Sequence, residues 1–264
     1  MISLFYRNKL STTESVDIIE GMVYAYLKPL GFRKYGRTLH RYVDGDISQV
    51  VHFQNGCPEK GVYGILWINL GIRVPECEER KFKNLEPLKK YYHEYECNIR
   101  TRLGDLVGRK DTYYKLKKDP VKIGNDIIAH IEKYVIPVFD VLNSRENILK
   151  HRSEYACFDE MTHDMLLLEE AMIMGRKGEL AAATRLFNAY YQNILAECNH
   201  DLENGTKTYL RKGERIVYRN VKTGETETIT ATKNGYVTTY YANKAHLSYL
   251  EELAQELGIS LCTP

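Results

Sequence analysis

Apolar residues recur at Val16, Ile19, Val23, Tyr26, Leu27 and Leu30, three or four positions apart, which predicts an amphipathic helix. Ser11 stands three residues before Glu14, the spacing at which hydroxyl and carboxylate each satisfy a backbone N–H of the first turn, so the helix should start there. Pro29 and Gly31 end it. The period then drops to two. RTLHRYV (37–43) and ISQVVHFQ (47–54) alternate around Asp44-Gly45-Asp46, a hairpin signal. After the turn-rich 55–61, VYGILWINLGIRV (62–74) is apolar on both parities: Val62, Leu66, Ile68, Leu70 and Ile72 share one face, Tyr63, Ile65 and Trp67 the other. A strand covered on both sides reads this way. Gly64 and Gly71 within it mark a bulge or a close backbone approach.

Residues 76–95 are charged and predict a helix interrupted at Pro87. ECNIRTRL (96–103) alternates, with Cys97, Ile99, Thr101 and Leu103 on one face and Asn98, Arg100 and Arg102 on the other. A basic loop over 104–121 carries Tyr113 and Tyr114, and a helix over 121–142 should kink at Pro137. Near residue 145 the texture changes. Residues 161–195 read as two helices joined at Gly175–Gly178. GELAAATRLFNAY (178–190) is similar to half of a tetratricopeptide repeat, but no second copy follows about 34 residues on, so an ordinary αα-hairpin is expected. RIVYRN (215–220), TETITAT (226–232) and YVTTYYA (236–242), separated by turns at Gly224 and Asn234-Gly235, predict a small β-meander. Asn243 would cap a last helix with its stripe at Leu247, Leu250, Leu253, Ala254 and Leu257, stopped by Gly258. The expected fold is α+β: a mainly antiparallel sheet with helices over 1–145, then the hairpin, meander and terminal helix over 146–264. No low-complexity linker separates the halves, so they are expected to pack together.

Four stretches in the first half occur in a recognisable order: LKPLGFRKYGRTLHR (27–41), QVVHFQ (49–54), WINLGI (67–72) and CNIRTRLGDL (97–106). Together they resemble the bacterial domain-of-unknown-function family 4304, over roughly residues 13–142. The resemblance implies a small α+β protein without an assigned activity. It also implies, for some members, a setting of toxin–immunity type. It leaves residues 145–264 unexplained.

Composition narrows the function classes. The 264 residues carry a net charge of +2, so no global electrostatic case exists for nucleic acid or an anionic membrane. The charge is uneven, however: residues 80–122 hold thirteen Lys/Arg against six Asp/Glu. Tyrosine, at 21 against 7 Phe and 1 Trp, suits surfaces that are half apolar and half wet. The six cysteines form no C-x-x-C and no zinc spacing with histidine. The start lacks the pattern of a signal peptide and no stretch approaches a membrane span, so a cytoplasmic protein with reduced thiols and no membrane partner is expected.

Catalytic signatures are missing: G-x-S-x-G, G-x-x-x-x-G-K-[ST], H-E-x-x-H and G-x-G-x-x-G do not occur. The densest titratable cluster, with His151, Asp159, Glu160, His163 and Asp164 beside Cys157, has the spacing of an ordinary solvated helix, and no metal or cofactor is assigned to it. No catalytic residue is assigned. The candidate ligand-binding residues lie on the sheet. Gln54 ends one strand, Asn69 sits among Ile68, Leu70 and Ile72 on the parity of Trp67, and Arg100 and Arg102 project from another strand. Arginine forks carboxylate or phosphate, and rings beside it can stack on a ligand. The bland alternative is that Arg100 and Arg102 pair with acids of the 76–95 segment while Asn69 bonds backbone. The function that asks least of the sequence is a non-catalytic protein-interaction module, of immunity or defence type. The alternatives are nucleic-acid or phosphate-ligand binding through the block 80–122, which is less favoured, and an enzyme whose site the motifs do not reveal.

Overall fold

Ser11 opens the first helix, α1 (Thr12–Leu27), as its spacing from Glu14 predicts: the Glu14 N–H donates to Ser11 Oγ at 3.2 Å and the Ser11 N–H to Glu14 Oε2 at 2.7 Å. The structure, a computed structural model, describes residues 10–56, 64–77, 89–110, 112–116, 119–158, 163–220, 222–240 and 244–262. It divides into two compact units, Met1–Glu160 and Met161–Pro264.

The first unit is built on an antiparallel sheet in the order β1 (Arg33–Tyr35), β2 (Thr38–Val43), β3 (Ile47–Gly56), β4 (Ile65–Arg73), β5 (Ile99–Arg102), with β6 (Tyr114–Lys115) also paired to β4. Asp44 and Gly45, both at positive φ, turn β2 into β3. The register sets Phe53 opposite Ile68, Val51 opposite Leu70 and Gln49 opposite Ile72. These residues, with Leu39, Leu66 and Ile99, form one face, fully or nearly buried. That face lies under α1 and α3 (Pro120–His130), whose Val16, Ile19, Val23, Ile123 and Ile127 are buried, and under α4 (Ile136–Val141). Two polar side chains lock this layer. Gln49 Nε2 donates to the Phe139 carbonyl at 2.5 Å near the end of α4, and Arg41 reaches the Leu30 carbonyl and Asp140.

The kink expected at Pro137 is a π-turn, Ile131–Val135, between α3 and α4. Proline offers no N–H to the carbonyl four residues back, and the residue before it, Ile136, donates its N–H to Ile131 five residues back. Of the helix predicted over 76–95, residues 78–88 lie outside the described residues. The flanking parts are 3₁₀ turns, Pro75–Cys77 and Glu94–Glu96. Arg145, at the start of α5 (Arg145–His151), ties the β2–β3 turn to that first 3₁₀ turn through Asp44, Asp46 and Glu76.

In the second unit α6 (His163–Arg176) and α7 (Leu180–Asn204) form the αα-hairpin, turned at Gly178 with φ 83°. Leu168, Ala171, Met172, Ala183 and Phe187 make its core with Leu250, Leu253 and Ala254 of α8 (Lys244–Leu257). The three predicted strands are present as β8 (Arg215–Arg219), β9 (Thr226–Thr230) and β10 (Gly235–Thr239). A fourth, β7 (Thr206–Leu210), takes β10 as its partner while β8 pairs with β9. The result is one long hairpin, broken at 211–214, where Gly213 (φ 89°) donates to the Ala231 carbonyl. Tyr209 faces Tyr236 before the break and Val217 faces Thr228 after it, so no residue is gained or lost across it. The tip folds back: Lys222 lies 3.8 Å from the Tyr240 ring centre and donates to the Glu203 carbonyl, both beside the base of the β7–β10 pair.

Candidate functional site

The second face of the sheet is polar and aromatic. Strand parity and register place His40 and Tyr42 of β2, Ser48, Val50, His52 and Gln54 of β3, Trp67, Asn69, Gly71 and Arg73 of β4, and Arg100 and Arg102 of β5 on it. All five candidate residues therefore share a face, and four come into contact. Gln54 is directly opposite Trp67, and Asn69 directly opposite Arg102. Asn69, 4% exposed, donates from Nδ2 to Gln54 Oε1 at 2.8 Å, so its buried amide is bonded by a side chain rather than by backbone. The Arg102 guanidinium lies 5.5 Å from the Trp67 ring centre, and Tyr113 meets the same indole edge-on at 6.1 Å. Arg100 stands apart, its side chain 49% exposed, at 3.6 Å from Glu94.

Whether this face is open depends on where along it one looks. Residues 89–98 lie across its β2–β3 end. Tyr92 is buried there, with the Arg73 guanidinium 4.0 Å from its ring centre, and Tyr42 Oη donates to the Lys89 carbonyl. Tyr91 stacks on Tyr35 at 4.9 Å, His93 meets His52 edge-on at 6.3 Å, and Tyr95 stacks on His93 at 5.0 Å. The rings thus run from the covered end outward to Tyr95, which is exposed. Gly71 is required beneath this segment, because a Cβ there would stand 2.6 Å from Cys97 Sγ. Cys97 accordingly sits over the polar face. Alternation assigned it to the core face with Ile99, but the strand begins only at Ile99, after the 3₁₀ turn has redirected the chain.

The covered end is hostile to charge. Burial, with Arg33 nearby, drives the His40 imidazole down to about 4, and burial, with His93 adjacent, also lowers His52. His40 Nε2 and Ser48 Oγ have no hydrogen-bond partner among the described residues. Burial raises the Glu94 carboxyl, against the opposing pull of Arg100 and Arg102. At the open end the described residues place no carboxylate in an ion pair with Arg102, and the Arg100–Glu94 pair is long and half-exposed, hence weak. The Arg102 guanidinium, the Trp67 indole and the exposed Gln54 amide are therefore the groups available to an incoming carboxylate or planar group.

Of the titratable cluster at 151–164, Asp159 and Glu160 and the side chains of Cys157, His163 and Asp164 lie outside the described residues. His151 contacts Glu154 at 3.1 Å. Among the described residues no group of three His, Cys, Asp or Glu is placed to hold a metal ion. No helix among them is long and apolar enough to cross a membrane. Sequence reasoning missed Tyr91, Tyr92 and His93 as the cover, and the ring-bearing Y-Y-H-x-Y run was the signal that could have found them.

Residues 23–141 match the family described as Domain of unknown function (DUF4304). The matched stretch runs from within α1 to the end of α4 and so contains the whole sheet and both of its faces. No curated protein and no solved structure matches the chain.

Proposed function

We propose that the chain uses this domain of unknown function as a non-catalytic protein-interaction module of the bacterial cytoplasm, of immunity or defence type, and that the open end of the polar sheet face is its contact surface. The observation that carries the reading is the Trp67–Arg102 pair, flanked by Tyr113 and backed by the bonded amides of Asn69 and Gln54. Tryptophan, tyrosine and arginine dominate the binding energy of protein interfaces, because each joins a large apolar area to a directional polar group. Arg102 selects a partner segment that carries a carboxylate. Nucleic-acid binding through the basic block is less supported. Several of its cations are already engaged within the unit: Lys89 with Glu96, Arg100 with Glu94, Arg109 over Tyr114 and Lys115 over Tyr113.

The test is stoichiometric co-purification from the native host, comparing the unmodified chain with Trp67→Ala, Arg102→Glu and, as a control on exposed α1-end charge, Lys28→Glu. One partner should be recovered with the unmodified chain and with Lys28→Glu, and lost with either sheet-face variant. Recovery of no stoichiometric protein, or equal recovery with all variants, rejects the proposal.

A further inference from the structure

The second unit segregates its charge. Residues 206–239, the long hairpin, hold seven Lys/Arg and three Asp/Glu, while the rest of 161–264 holds four and ten. Averaged over the chain this vanishes, yet on the hairpin it is a concentrated positive field beside acidic helices. Lys177–Glu179 and His200–Asp201 pair outside the hairpin, and no side-chain ion pair with a carboxylate engages the hairpin's cations among the described residues. Of its three acids, Glu227 is turned to the inner side, where it accepts from Tyr218 and Asn220, and Glu214 accepts the Arg211 N–H.

The β7–β10 pair adds an aromatic feature to this field. Its outward positions are Lys207 and Tyr209 on one strand and Tyr236 and Thr238 on the other. Tyr209 and Tyr236 are 51% and 73% exposed and meet edge-on at 5.2 Å, directly opposite each other. Arg211, Lys212 and Lys233, all exposed, surround the pair at the break. Two exposed rings on a rigid ladder cost little entropy to present, and the outward positions of these two strands carry no acid.

We propose that this face binds single-stranded nucleic acid, with bases stacking on Tyr209 and Tyr236 and phosphates held by Lys207, Arg211, Lys212 and Lys233. The chemistry is that of sequence-tolerant single-strand recognition, a π-face for any base and a cationic track for the backbone. Duplex DNA keeps its bases stacked on one another and offers the rings nothing. An acidic peptide would satisfy the cations and leave the tyrosines without a matching planar group, which is why a nucleic acid is the better occupant. The inference rests on the second unit alone and stands or falls separately from the reading of the sheet face.

The experiment uses the full chain and labelled oligo-dT and oligo-U of about 16 nucleotides, the upper end of site sizes for such platforms, read by fluorescence anisotropy. With four phosphates engaged, affinity should fall about fifty-fold between roughly 50 and 200 mM salt. Tyr209→Ala with Tyr236→Ala should weaken binding about tenfold or more, whereas the two Phe replacements keep the rings and should stay within about twofold. Lys207→Glu with Arg211→Glu should weaken binding at least about tenfold and flatten the salt dependence of what remains. No binding at low salt overturns the proposal. So does competition by duplex as effective as by single strand, or indifference to the Ala pair. Loss with Arg100→Glu and Arg102→Glu but not with the hairpin variants also overturns it. A chain that sediments as a dimer broken by Lys207→Glu with Arg211→Glu, and binds no oligonucleotide, makes the occupant a second copy and overturns it as well.

Discussion

His40 shows how a single side chain on the sheet registers its surroundings. It is 2% exposed, its ring is held edge-on to Tyr42 at 4.4 Å, and Nε2 has no partner. The neutral form is therefore the one the fold accommodates, and its pKa drops to about 4 against an ordinary 6.5. In the unfolded chain the same imidazole takes up its proton near 6.5. Below that pH the unfolded state binds more protons, so stability contributed by the neutral imidazole is present above pH 6.5 and is lost as pH falls toward 4. The loss should be on the order of 2 kcal/mol after allowance for local relaxation. His52 and His130, also lowered by burial, act in the same direction, and Glu94, raised by burial, acts oppositely. The comparison must therefore be between proteins: the fall in urea midpoint from pH 7 to pH 4.5 should be smaller for His40→Phe than for the unmodified chain. Equal pH slopes in the two would remove His40 as the cause.

At the scale of elements, the junction between β4 and residues 89–98 is the critical one. A methyl at position 71 would stand 2.6 Å from Cys97 Sγ and 2.8 Å from its Cβ, both held in place by a buried neighbour rather than at a flexible tip. Gly71→Ala should therefore lift the segment, at about 1–3 kcal/mol of stability, and Cys97 should become reactive toward a thiol reagent in the native state, as mapped by mass spectrometry of its peptide. Cys97 that stays unreactive would mean that the segment yields without moving. Gly71→Ala combined with Cys97→Gly should recover much of the loss. Residue 71 was legible in the sequence as a bulge or a close approach, since a glycine in a run otherwise apolar on both parities needs a reason, and the structure makes it the close approach. The capped α1 and the β2–β3 hairpin were legible for the same reason, each being set by spacing within one short stretch, whereas the shared face of Gln54, Trp67, Asn69, Arg100 and Arg102 was legible only on condition that their strands are neighbours. What approaches Gly71 was not. Cys97 and the Glu94 carbonyl reach it from more than twenty residues away through a turn that breaks the alternation, and no local period encodes that. The three-residue β1, all polar or aromatic, and β7, with one apolar position in TKTYL, carried too little pattern to separate them from loop.

At the scale of the molecule, each unit has a core of its own. The first closes on Phe32, Phe53, Phe139, Leu66, Ile68 and Leu70, all at or below 1% exposure, and the second on Phe187, Met172, Ala183, Leu250 and Leu253. Independent cores are what let a segment fold without the rest of its chain. The first, spanning residues 1–160 with a six-stranded sheet covered by helices, is large enough to be stable alone. The second, spanning residues 161–264, is smaller, and three helices sharing one apolar seam and a hairpin with its own turn chemistry give it local support. Division of the gene between Glu160 and Met161 should thus yield two fragments that each unfold cooperatively, the first at a denaturant midpoint close to that of the same transition in the whole chain. If the two proposed surfaces belong to separate units, fragment 1–160 should keep partner capture and its sensitivity to Trp67→Ala, and fragment 161–264 should keep oligonucleotide binding and its sensitivity to Tyr209→Ala with Tyr236→Ala. Circular dichroism with a urea titration of each fragment decides the first point, and the two binding assays decide the second. A fragment 1–160 that is unfolded on its own would show that its core depends on residues beyond 160. A folded fragment 161–264 that binds no oligonucleotide, beside a whole chain that does, would place the nucleic-acid contact outside the hairpin.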